Sequence, residues 1–256
     1  MNSIKIIAFY SFKGGVGRSL SLLNIAYILS KKYRKKVGLI DLDVESSGLH
    51  HILNIDVEEE LDLLNLLLPK NRDLSKLGRY VKPIKNFDNR ESNTYLIPTL
   101  TDPAVLGQLT WDTPLETFLN EDLFPTFSKV YNLDFLFIDG RTGLSRFSAF
   151  ALKQAVLVLL FCRLDRQNEF GISRMVKVCN EAGKPFLVIV SGCPMIKGYQ
   201  SQILKFERQI KSKIDCVLPY YPELYFNEFI VSKKKPKSRL TKAYEALASQ
   251  VLDKVI

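Results

Sequence analysis

Cysteine is sparse and scattered in this chain. Cys162, Cys179, Cys193 and Cys216 stand apart and form no C-x-x-C pair, so a disulfide framework, a zinc site and an iron–sulfur cluster are not expected. Histidine is rarer still: His50 and His51 are adjacent, hence on different faces of a helix, which argues against a shared metal ion. No run of about twenty apolar residues occurs, so no membrane-spanning helix is expected. A strand pattern begins almost at the first residue, so a secretory leader is not expected; a reducing cytoplasm is the expected setting. The single tryptophan, Trp111, packs either in the core or at a partner face.

Acidic residues are outnumbered, 27 against 36 Lys and Arg, for a net charge of +9. The excess is clustered. The run Lys31-Lys32-Tyr33-Arg34-Lys35-Lys36 reads as a solvated helix end, because cations at a helix C-terminus are ordinary. The run Lys233-Lys234-Lys235-Pro236-Lys237-Ser238-Arg239 is either a solvated loop or a grip for a nucleic-acid backbone or an anionic membrane.

With 46% hydrophobic residues in 256, the chain can bury a full α/β core, and one domain over residues 1–256 is expected. An apolar run at 6–10 breaks into Phe12-Lys13-Gly14-Gly15-Val16-Gly17-Arg18-Ser19, followed by Leu20, Leu22, Leu23, Ala26, Tyr27 and Leu29 at helical spacing. Glycines there let backbone N–H groups surround an anion, the helix start adds its own free N–H groups, and the Ser19 hydroxyl can reach a magnesium ion. The implied ligand is a nucleotide with magnesium. The strict G-x-x-x-x-G-K-[ST] pattern fails at Phe12 and at Arg18. An arginine is longer, planar and forked, so binding is expected to survive while hydrolysis slows.

Two carboxylate signals follow. Asp41 and Asp43, two apart at the end of the apolar run 37–40, point the same way towards the crevice where open α/β sheets bind ligands. Asp139 ends the apolar run 135–138, the arrangement that delivers a carboxylate to magnesium. Arg141, just beyond, either senses a γ-phosphate or stabilises the charge that develops on its transfer, as a catalytic residue, or else pairs with a nearby acid, and both readings stand. Apolar strands at 155–161 and 186–190 flank a helix at 167–182. Leucines at 61–68 read as a helix ended by Pro69, 72–91 as irregular, and 115–131 as another helix. The last helix carries Leu240, Tyr244, Leu247, Ala248, Val251, Leu252 and Val255 on one face and reads as core rather than as a membrane anchor.

The string K-G-G-V-G-R-S, with Lys13 before the glycine pair, resembles the K-G-G-x-G-K-[ST] loop of the ParA/MinD family, and K-G-G-V-G-R resembles a variant subgroup. The resemblance extends through D-x-D at 41–43, the proline-ended run 95–98, the run ending at Asp139, and Leu218-Pro219-Tyr220-Tyr221-Pro222-Glu223-Leu224. It implies a doubly wound P-loop fold, with a mostly parallel sheet of about seven strands and helices on both faces. It implies ATP and magnesium as cofactors, with Gly14, Gly15, Val16, Gly17, Arg18, Ser19 and Leu20 around the phosphates. Pro219, Tyr220 and Pro222 would lie at the base. Ser19, Asp41 and Asp139 would serve the metal, Asp43 would position the attacking water, and Lys13 would cross to the partner's phosphates in an ATP-dependent homodimer. Ser191-Gly192-Cys193-Pro194 lacks the asparagine that often reads adenine in the family, though the late loop still favours adenine. Iron–sulfur carriers and tyrosine kinases of the superfamily do not fit, since a cysteine pair and a terminal tyrosine cluster are missing. The implied activity is a slow ATPase switch that binds DNA or a companion protein, in a partition or defence setting. The other reading is a non-hydrolysing nucleotide-binding interaction module.

Overall fold

The computed structural model describes residues 4–85, 87 and 92–255. β1 (Lys5–Ser11), α1 (Arg18–Tyr33) and β2 (Val37–Asp41) form the first crossover unit. β3 (Lys82–Pro83), β4 (Thr94–Ile97), β5 (Phe135–Asp139), β6 (Leu157–Cys162), β7 (Phe186–Cys193) and β8 (Cys216–Pro219) complete one sheet in the order β3-β4-β2-β5-β1-β6-β7-β8. Among the described residues seven strands are parallel. The eighth, β3, runs antiparallel on the edge, where Pro83, lacking an N–H, is tolerated.

Side chains alternate between two cores. Ile7 and Phe9 of β1 face α1 and the Arg239–Val255 helix, while Ile6, Ala8 and Tyr10 face the helices Phe124–Tyr131, Arg146–Gln154, Arg166–Glu181 and Tyr199–Ile210. Helices therefore cover both faces, as strands apolar on both sides require. Gly38 in β2 marks a tight point: a Cβ there would lie 2.4 Å from Leu133 Cδ1 and 2.8 Å from Phe127 Cε1. Gly38→Ala is expected to cost about 1–3 kcal/mol, read as a lower urea midpoint with an unchanged slope.

Two local expectations need correction, and a third gains a detail. The leucine run at 61–68 makes one helical turn, Leu63–Leu66, because Asp62 caps it and also accepts from Leu100 N (2.8 Å). The stretch 72–91, read as irregular, buries Leu77, Tyr80, Val81, Ile84 and Phe87 and supplies β3; residues 86 and 88–91 lie outside the described residues. The helix at 115–131 contains a wide turn, Phe118–Leu123, in which Phe124 N donates to Leu119 O. Pro125 explains it, since its ring excludes an ordinary bond to the carbonyl four residues back. Trp111 packs within the chain, 4.2 Å from the Phe147 ring, and its N–H donates to Glu116. The last helix is core, with Leu240, Tyr244, Leu247, Ala248, Val251 and Leu252 buried. Among the described residues no helix is long and apolar enough to cross a membrane.

Candidate functional site

The carboxyl ends of the neighbouring strands β2, β5 and β1 meet at one edge, with Asp41 opposite Asp139 and Asp139 opposite Phe9. A loop at 12–17 links β1 to α1 there. Gly15 (φ +70°) and Gly17 (φ +74°) are left-handed, and a Cβ on either would touch nothing, so backbone conformation alone demands glycine. α1 starts without a side-chain cap or an acidic first turn, which leaves its N–H groups for an anion. Phe12, which breaks the strict phosphate-loop pattern, is a packing residue. It lies over Gly171 of the Arg166–Glu181 helix, where an added Cβ would be 2.1 Å from Phe12 Cγ, and its ring meets that of Phe170. Lys13 is exposed and forms no hydrogen bond or ion pair among the described residues. It opens onto a groove with Arg163, Asp165 and Arg166.

Arg18 turns inward instead. Its side chain is 7% exposed, with Nε donating to Asp139 Oδ1 at 2.6 Å and Nη2 to Asp43 Oδ2 at 3.0 Å. Nη2 also reaches Ser19 Oγ and Nη1 reaches Ser11 Oγ, both at 3.4 Å. Burial works against this charge, but the Asp139 and Asp43 carboxylates more than offset it and raise the guanidinium's pKa. Burial pushes Asp43 up, with the Arg18 charge pulling it back.

Asp41 is turned away from this cluster's open side. Its carboxyl group accepts from Asp43 N, Gly48 N and Leu49 N at 3.1–3.2 Å and so clasps the 42–48 loop against the short Leu49–Leu53 helix. Burial, with Asp139 nearby, pushes its pKa up to about 8. Arg141 forms an ion pair with Glu45, tying the loop after β2 to the loop after β5, while Tyr10 Oη donates to Gly143 O (3.0 Å). The pairing of Arg141 with an acid is thus the arrangement found. His50 and His51 have ring centroids 3.9 Å apart, His50 buried and His51 facing the cleft.

The cleft has a volume of about 640 Å³. Gly14, Gly15, Val16, Gly17, Arg18, Ser19, Leu20 and Asp43 line one end; Pro219, Tyr220 and Tyr221 line the other. Pro222 begins a short turn, Pro222–Tyr225, and is not among the lining residues. Leu224, the end of the late loop expected at the base, is, and so are Tyr225, Glu228 and Tyr244, which were not expected there from sequence. Tyr244 comes from the last helix, where its apolar spacing disguised it; its Oη is 3.2 Å from Ser21 Oγ. Ser191 donates to Val16 O and Arg163 Nη2 to Gly15 O (2.6 Å), so the ends of β6 and β7 brace the phosphate loop. The Ser19 hydroxyl and the Asp43 and Asp139 carboxylates are hard oxygens that suit magnesium, and each is now in contact with Arg18.

The sheet order, the left-handed glycine loop and the two aspartate-bearing strands define a protein of the P-loop fold seen in ParA/MinD-type proteins. A family model described as an AAA domain matches residues 4–186, and the chain belongs to that family. A virulence plasmid ParA family protein of Chlamydia psittaci is 38% identical over 68 residues, 27% of this chain and 26% of the relative. The chain spans about a fifth to a third of the length of the curated relatives it matches. Among solved structures, a putative plasmid partition protein of Borrelia burgdorferi bound to AMPPNP superposes with a TM-score of 0.77 at 18% identity, covering 99% of this chain and 100% of that one. The septum site-determining protein MinD of Pyrococcus horikoshii, complexed with Mg-ADP, gives 0.75 at 21% identity, over 97% and 96%. At these identities the two structures establish the fold.

Proposed function

We propose that this chain acts as a single nucleotide-binding unit, an ATP-binding and slowly hydrolysing dimeric switch whose ATP-closed form engages DNA or a companion protein, in a partition-like or defence-associated role. The observation that carries the reading is the convergence of the phosphate loop, Asp43 and Arg18 in one cleft next to Asp139. The loop N–H groups and Arg18 hold the phosphates. Asp43 orients the attacking water from its edge of the cleft. Ser19 and Asp139 would hold magnesium, which when bound screens the β- and γ-phosphate charge. Asp41 keeps the loop carrying Asp43 in place through its three backbone bonds. The apolar and aromatic wall at Pro219 and Tyr220 suits a purine, with adenine favoured. Exposed Lys13 is free to reach a second copy.

The basic total favours DNA as the engaged surface, although Lys235 pairs with Glu223 and Lys234 lies over the Phe229 ring, which leaves a companion protein as an equal candidate. One observation favours the non-hydrolysing alternative: Arg18, where it lines the cleft, is already held by two carboxylates. Mass in solution, with and without ATP and magnesium, and phosphate release from the same sample decide between them. A doubling of mass with slow phosphate release is expected. Unchanged mass and no phosphate would leave a static binding module.

A further inference from the structure

The Arg18 guanidinium touches a hydroxyl and two carboxylates, Ser19, Asp43 and Asp139, the same kind of oxygen set a divalent ion takes beside bound phosphates. These contacts come from three separate elements, α1, β5 and the loop after β2, and a fourth reaches Ser11 at the end of β1. A forked, planar cation can donate to several oxygens at once, whereas an ammonium is a compact, strongly hydrated point charge. Two unneutralised carboxylates, Asp43 in the cleft wall and Asp139 buried beside it, would repel incoming phosphate oxygens. Here Arg18 has already neutralised much of that charge, from a position 7% exposed, where water screens it less than at the surface.

We infer that Arg18 is a tethered cation that replaces the divalent ion in the binding step, so that this chain takes up nucleoside di- and triphosphates with nearly equal affinity whether or not magnesium is present. The inference rests on the nucleotide reading above and deepens it. Magnesium is then required for turnover but not for retention. With lysine at position 18, the two carboxylates lose their shared fork, and binding comes to depend on the ion.

The test is calorimetric titration of ADP into the full chain in magnesium buffer and in EDTA, for the natural protein and for Arg18→Lys. The natural protein is expected to differ by less than about threefold between the two buffers, and Arg18→Lys by more than about tenfold. A natural protein that loses more than about tenfold in EDTA overturns the inference, since the metal then displaces the guanidinium. Equal metal independence in Arg18→Lys also overturns it, because another group would be supplying the charge. Should that variant fail to fold, manganese paramagnetic resonance on the natural protein decides. Adding protein to ADP and manganese is expected to leave the free-ion signal as it is with ADP alone, and a drop in that signal overturns the idea. No ADP binding in either buffer would sink the nucleotide reading itself, an outcome distinct from metal-dependent binding.

Discussion

Asp43→Ala is expected to cut phosphate release by about a hundredfold or more, the usual contribution of a group that positions or deprotonates a nucleophile. ATP affinity is expected to hold or to tighten. The carboxylate lines the cleft and is only 6% exposed, so its removal also removes a negative charge from the path of the phosphates. Arg18 would keep Asp139 as its partner at 2.6 Å, and the cluster would not be left with an unpaired buried cation. Single-turnover phosphate release alongside an ATP titration separates the two effects. Loss of turnover with binding intact supports the switch. Unchanged turnover would remove Asp43 from the chemistry and return its role to that of a counter-ion for Arg18.

The second large effect is expected at Lys13. Lys13→Ala should bind ATP about as well as the natural protein, because the side chain is exposed and absent from the residues lining the main cleft. The ATP-dependent doubling of mass should be lost. A lysine reaching a partner's phosphates makes a charge-assisted contact in a desolvated interface, and truncating such a contact costs about 2–5 kcal/mol, which would weaken the dimer by more than about thirtyfold. Light scattering over a range of protein concentrations measures this directly. A dimer of undiminished strength would mean that Lys13 serves only its own loop.

Much of the site was legible in the sequence because its signals are local. A glycine-rich break between an apolar run and a helical pattern can be seen within fifteen residues, and the aspartates end runs whose apolar character already marks them as buried strands. Other features left no such trace. Phe12 looks like a fault in the phosphate-loop pattern until Gly171 is found beneath it. The buried residues at 77–87 show no helical or alternating period, because short turns with distant partners have none. Tyr244 reads as one more apolar position, yet its hydroxyl end reaches the cleft.

By itself, then, the sequence determined the fold class, the phosphate loop and the carboxylates at the strand ends, since each depends on backbone conformation or on the periodicity of a single element. Only the tertiary structure decided what those groups do to one another. Arg18 finds Asp43 and Asp139 across separations of 25 and 121 residues, Arg141 finds Glu45, and Asp41 spends its carboxyl group on backbone N–H groups rather than facing the cleft. The reason is electrostatic. Burial makes unpaired charge and unbonded polar atoms costly, so each buried charged or polar group takes whichever counter-charge or donor the folded chain brings within reach, and which one that is depends on how strands distant in sequence come to lie side by side.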